Sequence, residues 1–459
     1  MRTTARQSWW RRAAVAAVAS GSFVPVVAAA TFAPPVNVSQ NPGNSFVPVV
    51  AVPSALTPKL FWHDFTSSPN LLWCADGAGA AWGPAAECTM NVNRSWRPAA
   101  VVDSQGRVHL AWRDRAGAQD DILYARYDGV AWSAPENISQ SGFRSSNPWV
   151  ALGPSDNPHV LWEQDSDGAG TVAFYESYHD GAVWSAPADT GLPFDQAVFF
   201  DTIRVAGDGS GNMHAAWHDG PTSTTDVFYA MRPPGGPWGA PENISQSPPD
   251  LSVEPAIAVA ADGRVHLVWI EQDAVTGLFF EVWFTSKPPS GPWSVPFDVS
   301  QQGDDAARPA IAVAPATGDV HIAWWVRGGN DVFHVGNPRD FPTNVSQSAD
   351  PSEWADVAAG PGGGVYVAWA ENLGSNVEVF AAAAEDRIEL KMVDERSSDG
   401  VFLTWTADSP PYGVGRSLNR DVTVGWTELT PPAGIPGTDW TDPNVLFDGT
   451  LYFYGVEPR

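Results

Sequence analysis

The chain reads as an all-β protein, a seven-bladed β-propeller closed by its own N-terminal strand and followed by a small β-sandwich. One phrase returns along the sequence at intervals of about 45–55 residues, the spacing of propeller blades. The composition, with 23 Trp, 42 Gly and 41 Pro in 459 residues, suits many short strands separated by turns. A fourth-strand phrase, PVNVSQ at 35–40, opens the repeats with no strands before it, and the last repeat lacks that phrase.

The clearest repeat runs from Glu254 to Gln301, EPAIAVAADGRVHLVWIEQD and then GLFFEVWFTSKPPSGPWSVPFDVSQ, with four strand-sized runs between turns. Its second strand recurs seven times, as KLFW, VHLAW, PHVLW, MHAAW, VHLVW, VHIAW and VYVAW, ending at Trp62, Trp112, Trp162, Trp217, Trp269, Trp324 and Trp369. Its fourth strand recurs as AWSAPENISQ, VWSAPADTG, PWGAPENISQ, PWSVPFDVSQ and a shortened FPTNVSQ, with a diverged version near Trp82. A four-stranded sheet cannot cover both faces alone, so neighbouring repeats must stack radially. The missing fourth strand after VEVFAAAAED, which ends at Asp386, predicts that residues 35–40 complete the last blade and leave no open sheet edge.

The predicted organisation is a signal peptide over 1–30, the propeller over 31–386 and the sandwich over 387–459. Arg2, Arg6, Arg11 and Arg12 precede an apolar stretch from Ala13 to Ala30 that ends in small residues, the pattern of a cleaved export signal. Secretion, to the exterior or the periplasm, is therefore expected, with no membrane insertion after cleavage. Cys74 and Cys88 fall in one hairpin region, and an oxidising compartment would let them pair; two free thiols are the alternative. The net charge of -27 repels phosphates and anionic lipid, so nucleic acid is excluded as a partner and neutral or cationic ligands are favoured.

The order of a Trp-terminated strand, a further strand, a DG turn and a W-x-x-P strand resembles the sialidase-type, Asp-box propellers of secreted bacterial proteins. YDGVAW at Tyr127 and YHDGAVW at Tyr178 keep the glycine and tryptophan spacing of the box, while its Asp is out of phase. The resemblance implies the propeller fold and export. For activity it would require an arginine triad, a Tyr–Glu nucleophile pair and an Asp acid, a set the sequence alone does not place. FLTWTA and TDPNVLFDGTLYFYGVE give residues 387–459 a resemblance to a fibronectin type III module, which implies a spacer or adhesive unit.

Two residues after the repeat tryptophan stand Asp64, Asp114, Gln164, Asp219, Glu271 and Glu371, with Val326 breaking the series. Antiparallel pairing sets the end of each second strand beside the start of the first, so these side chains are expected to gather on one face near the axis. There they could hold calcium or hydrogen-bond sugar hydroxyls; the structural alternative is that they cap loops or pair with Arg97 or Arg308. Arg97-Pro98 and Arg308-Pro309 share one repeat phase with Val47-Pro48, Asn147-Pro148 and Glu254-Pro255. Arg204 breaks the pattern of small residues, aligning on the DG turn with Ala258, and could bind an anion in the channel or close a salt bridge.

His109, His159, His214, His266 and His321 share a phase, with Lys59 and Tyr366 in the other two blades; spread around a ring, they read as packed blade residues. The NIS and NVS sequons at Asn37, Asn137, Asn243 and Asn344 recur at one phase that strand termination explains. No catalytic residue and no metal site is assigned. The leading expectation is a secreted, non-catalytic recognition propeller for a glycan or cell-surface ligand. A sialidase-like glycoside hydrolase and a scaffold for an extracellular protein are the other two readings.

Overall fold

The computed structural model describes residues 32–384, apart from 55–56, 66–69, 89–92, 116, 169, 195–201, 221–224, 247–250, 273–279 and 302–304, together with strands of the two terminal regions. The chain divides into two compact units, one of residues 32–383 and one of 1–31 with 384–459.

The larger unit is a seven-bladed β-propeller of antiparallel sheets. The first and second strands of blades 1 to 7 are Ser45–Ala51 with Lys59–Asp64, Arg94–Val102 with Val108–Arg115, Ser145–Leu152 with Pro158–Asp165, and Ile203–Gly207 with Met213–Asp219, followed by Ser252–Val259 with Val265–Gln272, Ala306–Val313 with Val320–Val326, and Ser352–Ala359 with Val365–Asn372. Each blade adds a third strand and a short outer one. In blade 7 the outer strand is Val36–Asn37, which pairs with Val377–Ala383 in the register Val36 to Ala381 and Asn37 to Phe380. The ring is therefore closed by the start of the unit, as the displaced PVNVSQ phrase requires.

The seven repeat tryptophans are the largest fully buried side chains. Trp62, Trp112, Trp162, Trp217, Trp269 and Trp324 lie in apolar clusters that join adjacent blades. One such cluster combines Leu60 and Trp62 of blade 1 with Tyr366, Ala368, Val379 and Ala381 of blade 7, and Val38 from the closing strand completes it. Burial of this apolar surface between sheets supplies the main attraction between blades.

Where it occurs, the recurring Asn/Asp-x-Ser-Gln phrase ends the outer strand by one device. The Asn137 side chain accepts the Gln140 N–H, Gln140 turns left-handed at φ 43°, and the Ser139 hydroxyl accepts the Ile122 N–H of the third strand. Asn243 with Ser245 and Asn344 with Ser346 repeat these bonds. The DG turns also have a local role: Asp128 accepts the N–H groups of Val130 and Ala131, and Asp180 those of Ala182 and Val183. These bonds hold both carboxyls below the usual carboxylate range.

A disulfide joins Cys74, on the third strand of blade 1, to Cys88, just beyond its outer strand. In the second unit, Glu389–Met392, Val401–Thr406 and Asp439–Asp442 form one sheet. Val15–Ala16, Phe453–Pro458, Tyr412–Ser417 and Thr427–Glu428 form another. The rest of the expected signal segment and the links between the C-terminal strands lie outside the described residues. Among the described residues no helix is long and apolar enough to cross a membrane.

Candidate ligand-binding site

The first strands line the propeller axis, and a repeated β-bulge in six of them brings Val47, Arg97, Asn147, Arg308 and Trp354 to the axial cavity. In six blades the pairing of the first and second strands skips two residues, between Phe46 and Val49 in blade 1 and at the matching places in blades 2, 3, 5, 6 and 7. The first skipped residue is left-handed: Val47 (φ 53°), Arg97 (52°), Asn147 (53°), Glu254 (55°), Arg308 (45°) and Trp354 (61°). Five of these precede a proline, which has no N–H to lose from the ladder. Left-handed backbone is costly for side chains such as Val and Trp, and bulges of this kind concentrate beside binding sites.

Within this ring lies a cavity of about 100 Å³ bordered by Arg97, Arg204, Arg308, Trp149, Trp354 and Asp356. The arginines come from the first strands of blades 2, 4 and 6. Their guanidinium groups are set against indoles, Arg308 at 3.7 Å and Arg97 at 5.4 Å from the Trp354 ring centre, and Arg204 at 4.4 Å from that of Trp149. Stacking of this type orients the planar cation. Arg204 also donates to the Ile203 carbonyl at 3.0 Å.

Strand register moves Arg204 from the position assigned by the DG turn. It pairs with Ala216, the residue before the repeat tryptophan, and so matches Ala256, not Ala258. The fixed point of the turn is the left-handed glycine at Gly211 (φ 84°) and Gly263 (φ 80°), whereas Asp208-Gly209 lies two residues earlier. The full ring at this phase is Val49, Ala99, Trp149, Arg204, Ala256, Ala310 and Asp356.

Asp356 and the two cavity tryptophans were not singled out by the sequence reading, although the test that picked out Arg204 applies equally to Trp149 and Asp356. One Asp356 oxygen accepts the Val50 N–H at 2.8 Å. Enclosure by protein pushes its carboxyl up to about 6, against the opposing pull of the Val50 and Val357 N–H groups and the Arg204 charge. Beyond Trp149 and Asp356 the channel widens to a chamber of about 550 Å³ with mostly apolar walls, including Val101, Val150, Val259 and Val357.

The carboxylate series is placed differently. None of Asp64, Asp114, Asp219, Glu271 and Glu371 borders the three-arginine cavity. Asp64 accepts from the Ser45 hydroxyl at 2.7 Å, and Asp114 from that of Ser95 at 2.9 Å. Glu271 takes the Trp269 indole N–H at 2.9 Å and the Ser252 hydroxyl at 3.1 Å. Glu371 takes the Trp369 indole at 2.9 Å and the Ser348 hydroxyl at 2.7 Å. Blade 6 has Val326 in place of the acceptor, and the residue paired with it is Ala306 where blades 1, 2, 3, 5 and 7 carry serine. Acceptor and donor are lost together, the mark of a paired structural bond. Asp219 ends its strand half-buried, paired in register with Asp226.

Glu371→Ala strands a buried indole N–H, so a loss of about 2–3 kcal/mol of stability is expected, with ligand binding intact. Chemical denaturation followed by a binding titration on the same sample checks both parts.

The phase-related histidines are also engaged within and between blades. His109 bonds Tyr124 and Asp103, His214 bonds Tyr229 and Asp208, His159 bonds Glu176, and His321 bonds His334. Burial lowers His266 to about 4. Among the described residues, no group of three or more His, Cys, Asp or Glu is arranged to hold a metal ion. The described cavity lining includes neither tyrosine nor glutamate.

No family model and no curated protein sequence matches the chain. Among solved structures, a fungal alcohol oxidase of the AA5 family in complex with copper is similar at 11% identity, covering 94% of this chain and 93% of that one with a TM-score of 0.54. A Dyadobacter fermentans protein of unknown function matches at 11% identity over 78% of this chain and 99% of that one, TM-score 0.49. An α-L-arabinanase of Penicillium chrysogenum complexed with arabinobiose matches at 13% identity over 63% and 93%, TM-score 0.45. At 11% identity the likeness to the alcohol oxidase is one of fold alone.

Proposed function

We propose that the protein is a secreted recognition propeller that captures the anionic group of an acidic saccharide at its axial cavity without turning it over. The observation that carries this reading is the meeting of Arg97, Arg204 and Arg308 on one concavity in a chain of net charge -27. The overall field repels anions, so three cations concentrated at one point mark a local site. A cavity of about 100 Å³ suits a carboxylate or sulfate group; whole-ligand pockets are typically several hundred Å³. The rest of the sugar would lie over the bulge ring, with indole faces available for stacking.

Kinship with sialidase-type propellers is part of the proposal, as is a fibronectin type III-like spacer over 387–459. Export with loss of residues 1–30 would leave the propeller intact. One observation favours a second reading, a sialidase-like glycoside hydrolase: Asp356 is a carboxyl in the cavity poised near pH 6, the state of a general acid. That chemistry also requires a nucleophile or a base, and the described lining supplies neither.

Glycan-array binding and a fluorogenic sialoside and glycoside panel, run on one preparation, separate the two readings. Saturable binding of acidic glycans without turnover is expected. Turnover abolished by Arg204→Ala would make the protein an enzyme, and binding indifferent to glycan charge would overturn both readings.

A further inference from the structure

We propose that Asp356 makes anion capture conditional on proton uptake, so that the axial site loads in acid and releases toward neutral pH. This rests on the reading of the cavity as an anion site. In the ring of residues opposite the position before each repeat tryptophan, Arg204 and Asp356 are the charged members, and the others are Val49, Ala99, Trp149, Ala256 and Ala310. Both border the same cavity as Arg97 and Arg308. A bound anion therefore sits among three guanidinium groups and one carboxyl.

The charged groups around Asp356 all bear on this balance. Arg308 comes from blade 6 on one side, and blade 1 on the other contributes the Val50 N–H. Arg97 and Arg204 reach the cavity from blades 2 and 4. Glu254 is engaged elsewhere, accepting the Arg308 N–H at 2.7 Å and pairing with Arg327 at 3.7 Å. On blade 7 itself Glu371 is held by Trp369 and Ser348, and in blade 6 His321 and His334 bond each other.

Ionised, Asp356 offsets part of the arginine charge and repels an incoming anion; protonated, it does neither and can donate a hydrogen bond. Its carboxyl already titrates near pH 6, raised chiefly by enclosure. An anion at the arginines adds negative charge nearby and raises that value further. Linkage is reciprocal, so the same coupling tightens binding as pH falls. The sign is fixed: affinity is highest below about pH 6 and is lost as pH rises through it.

The test is calorimetric titration of the intact protein with sodium sulfate and with sodium glucuronate, both ionised throughout pH 5–8. Binding at least about tenfold tighter at pH 5 than at pH 8 is expected. Near pH 6, two buffers of different ionisation enthalpy should report net uptake of a fraction of a proton per anion. Asp356→Asn, neutral at every pH, should flatten the pH dependence by raising affinity at pH 8 toward the value at pH 5. The two-buffer measurement needs no variant and so decides the matter even if that substitution impairs folding. Binding lost in Arg308→Ala yet independent of pH in the wild type would overturn the proton coupling and leave the anion site standing. No binding of either anion at any pH would overturn the anion site itself, and the coupling with it.

Discussion

Arg308→Ala weakens glucuronate binding on the order of 30–100-fold at pH 5, the equivalent of one lost charge-assisted hydrogen-bonding group. Arg308 lies closest to an indole, 3.7 Å from the Trp354 ring centre, and shares that ring with Arg97. Its loss removes one cation and the stacking partner that holds Trp354 beside the cavity. Arg308→Lys keeps the charge but not the planar fork, so a smaller loss of about tenfold is expected. The thermal midpoint should barely move, because the side chain borders a cavity. Calorimetry and a thermal melt on the two variants check this, and unchanged affinity in Arg308→Ala would remove the arginine from the site.

Deleting residues 32–41 lowers the thermal midpoint by on the order of 10 °C and exposes the edge of blade 7 to self-association. The segment supplies the outer strand and buried Val38, whose N–H donates to the Val379 carbonyl at 2.8 Å. Ser39 hydrogen-bonds Glu378 and accepts the Val379 N–H, and Asn41 donates to Asp64 across into blade 1 at 2.5 Å. Loss of the strand therefore unpairs blade 7 and loosens its seam with blade 1. Size-exclusion chromatography and melting, with a peptide of residues 32–41 added back, read the effect. A deleted protein that melts like the intact one would mean the ring does not depend on this closure.

Seven blades and their closure were legible because each strand repeats a period-2 pattern anchored by one tryptophan, and a displaced strand leaves a visible gap at the far end. The carboxylate series was equally visible, but its purpose was not. The serine partners lie about twenty residues upstream, and the telling observation is that Val326 and Ala306 change together. Arg204 was recognised as an outlier but aligned two residues away, because Asp208-Gly209 imitates a turn whose left-handed residue is Gly211. Trp149, Trp354 and Asp356 escaped notice because bulges, which decide which side chains face the axis, leave no mark in alternation. The X-Pro pair Asn147-Pro148 was the trace of the bulge beside Trp149, whereas blade 7 reads Trp354-Ala355 and carries no such mark.

A crystal structure of the protein soaked with an acidic monosaccharide such as glucuronate at pH 5 tests the central claim most directly. The account places the ligand carboxylate in the axial cavity, within about 3 Å of donors from at least two of Arg97, Arg204 and Arg308. A ligand bound only on the blade edges or the second unit, with the cavity holding none, would contradict it.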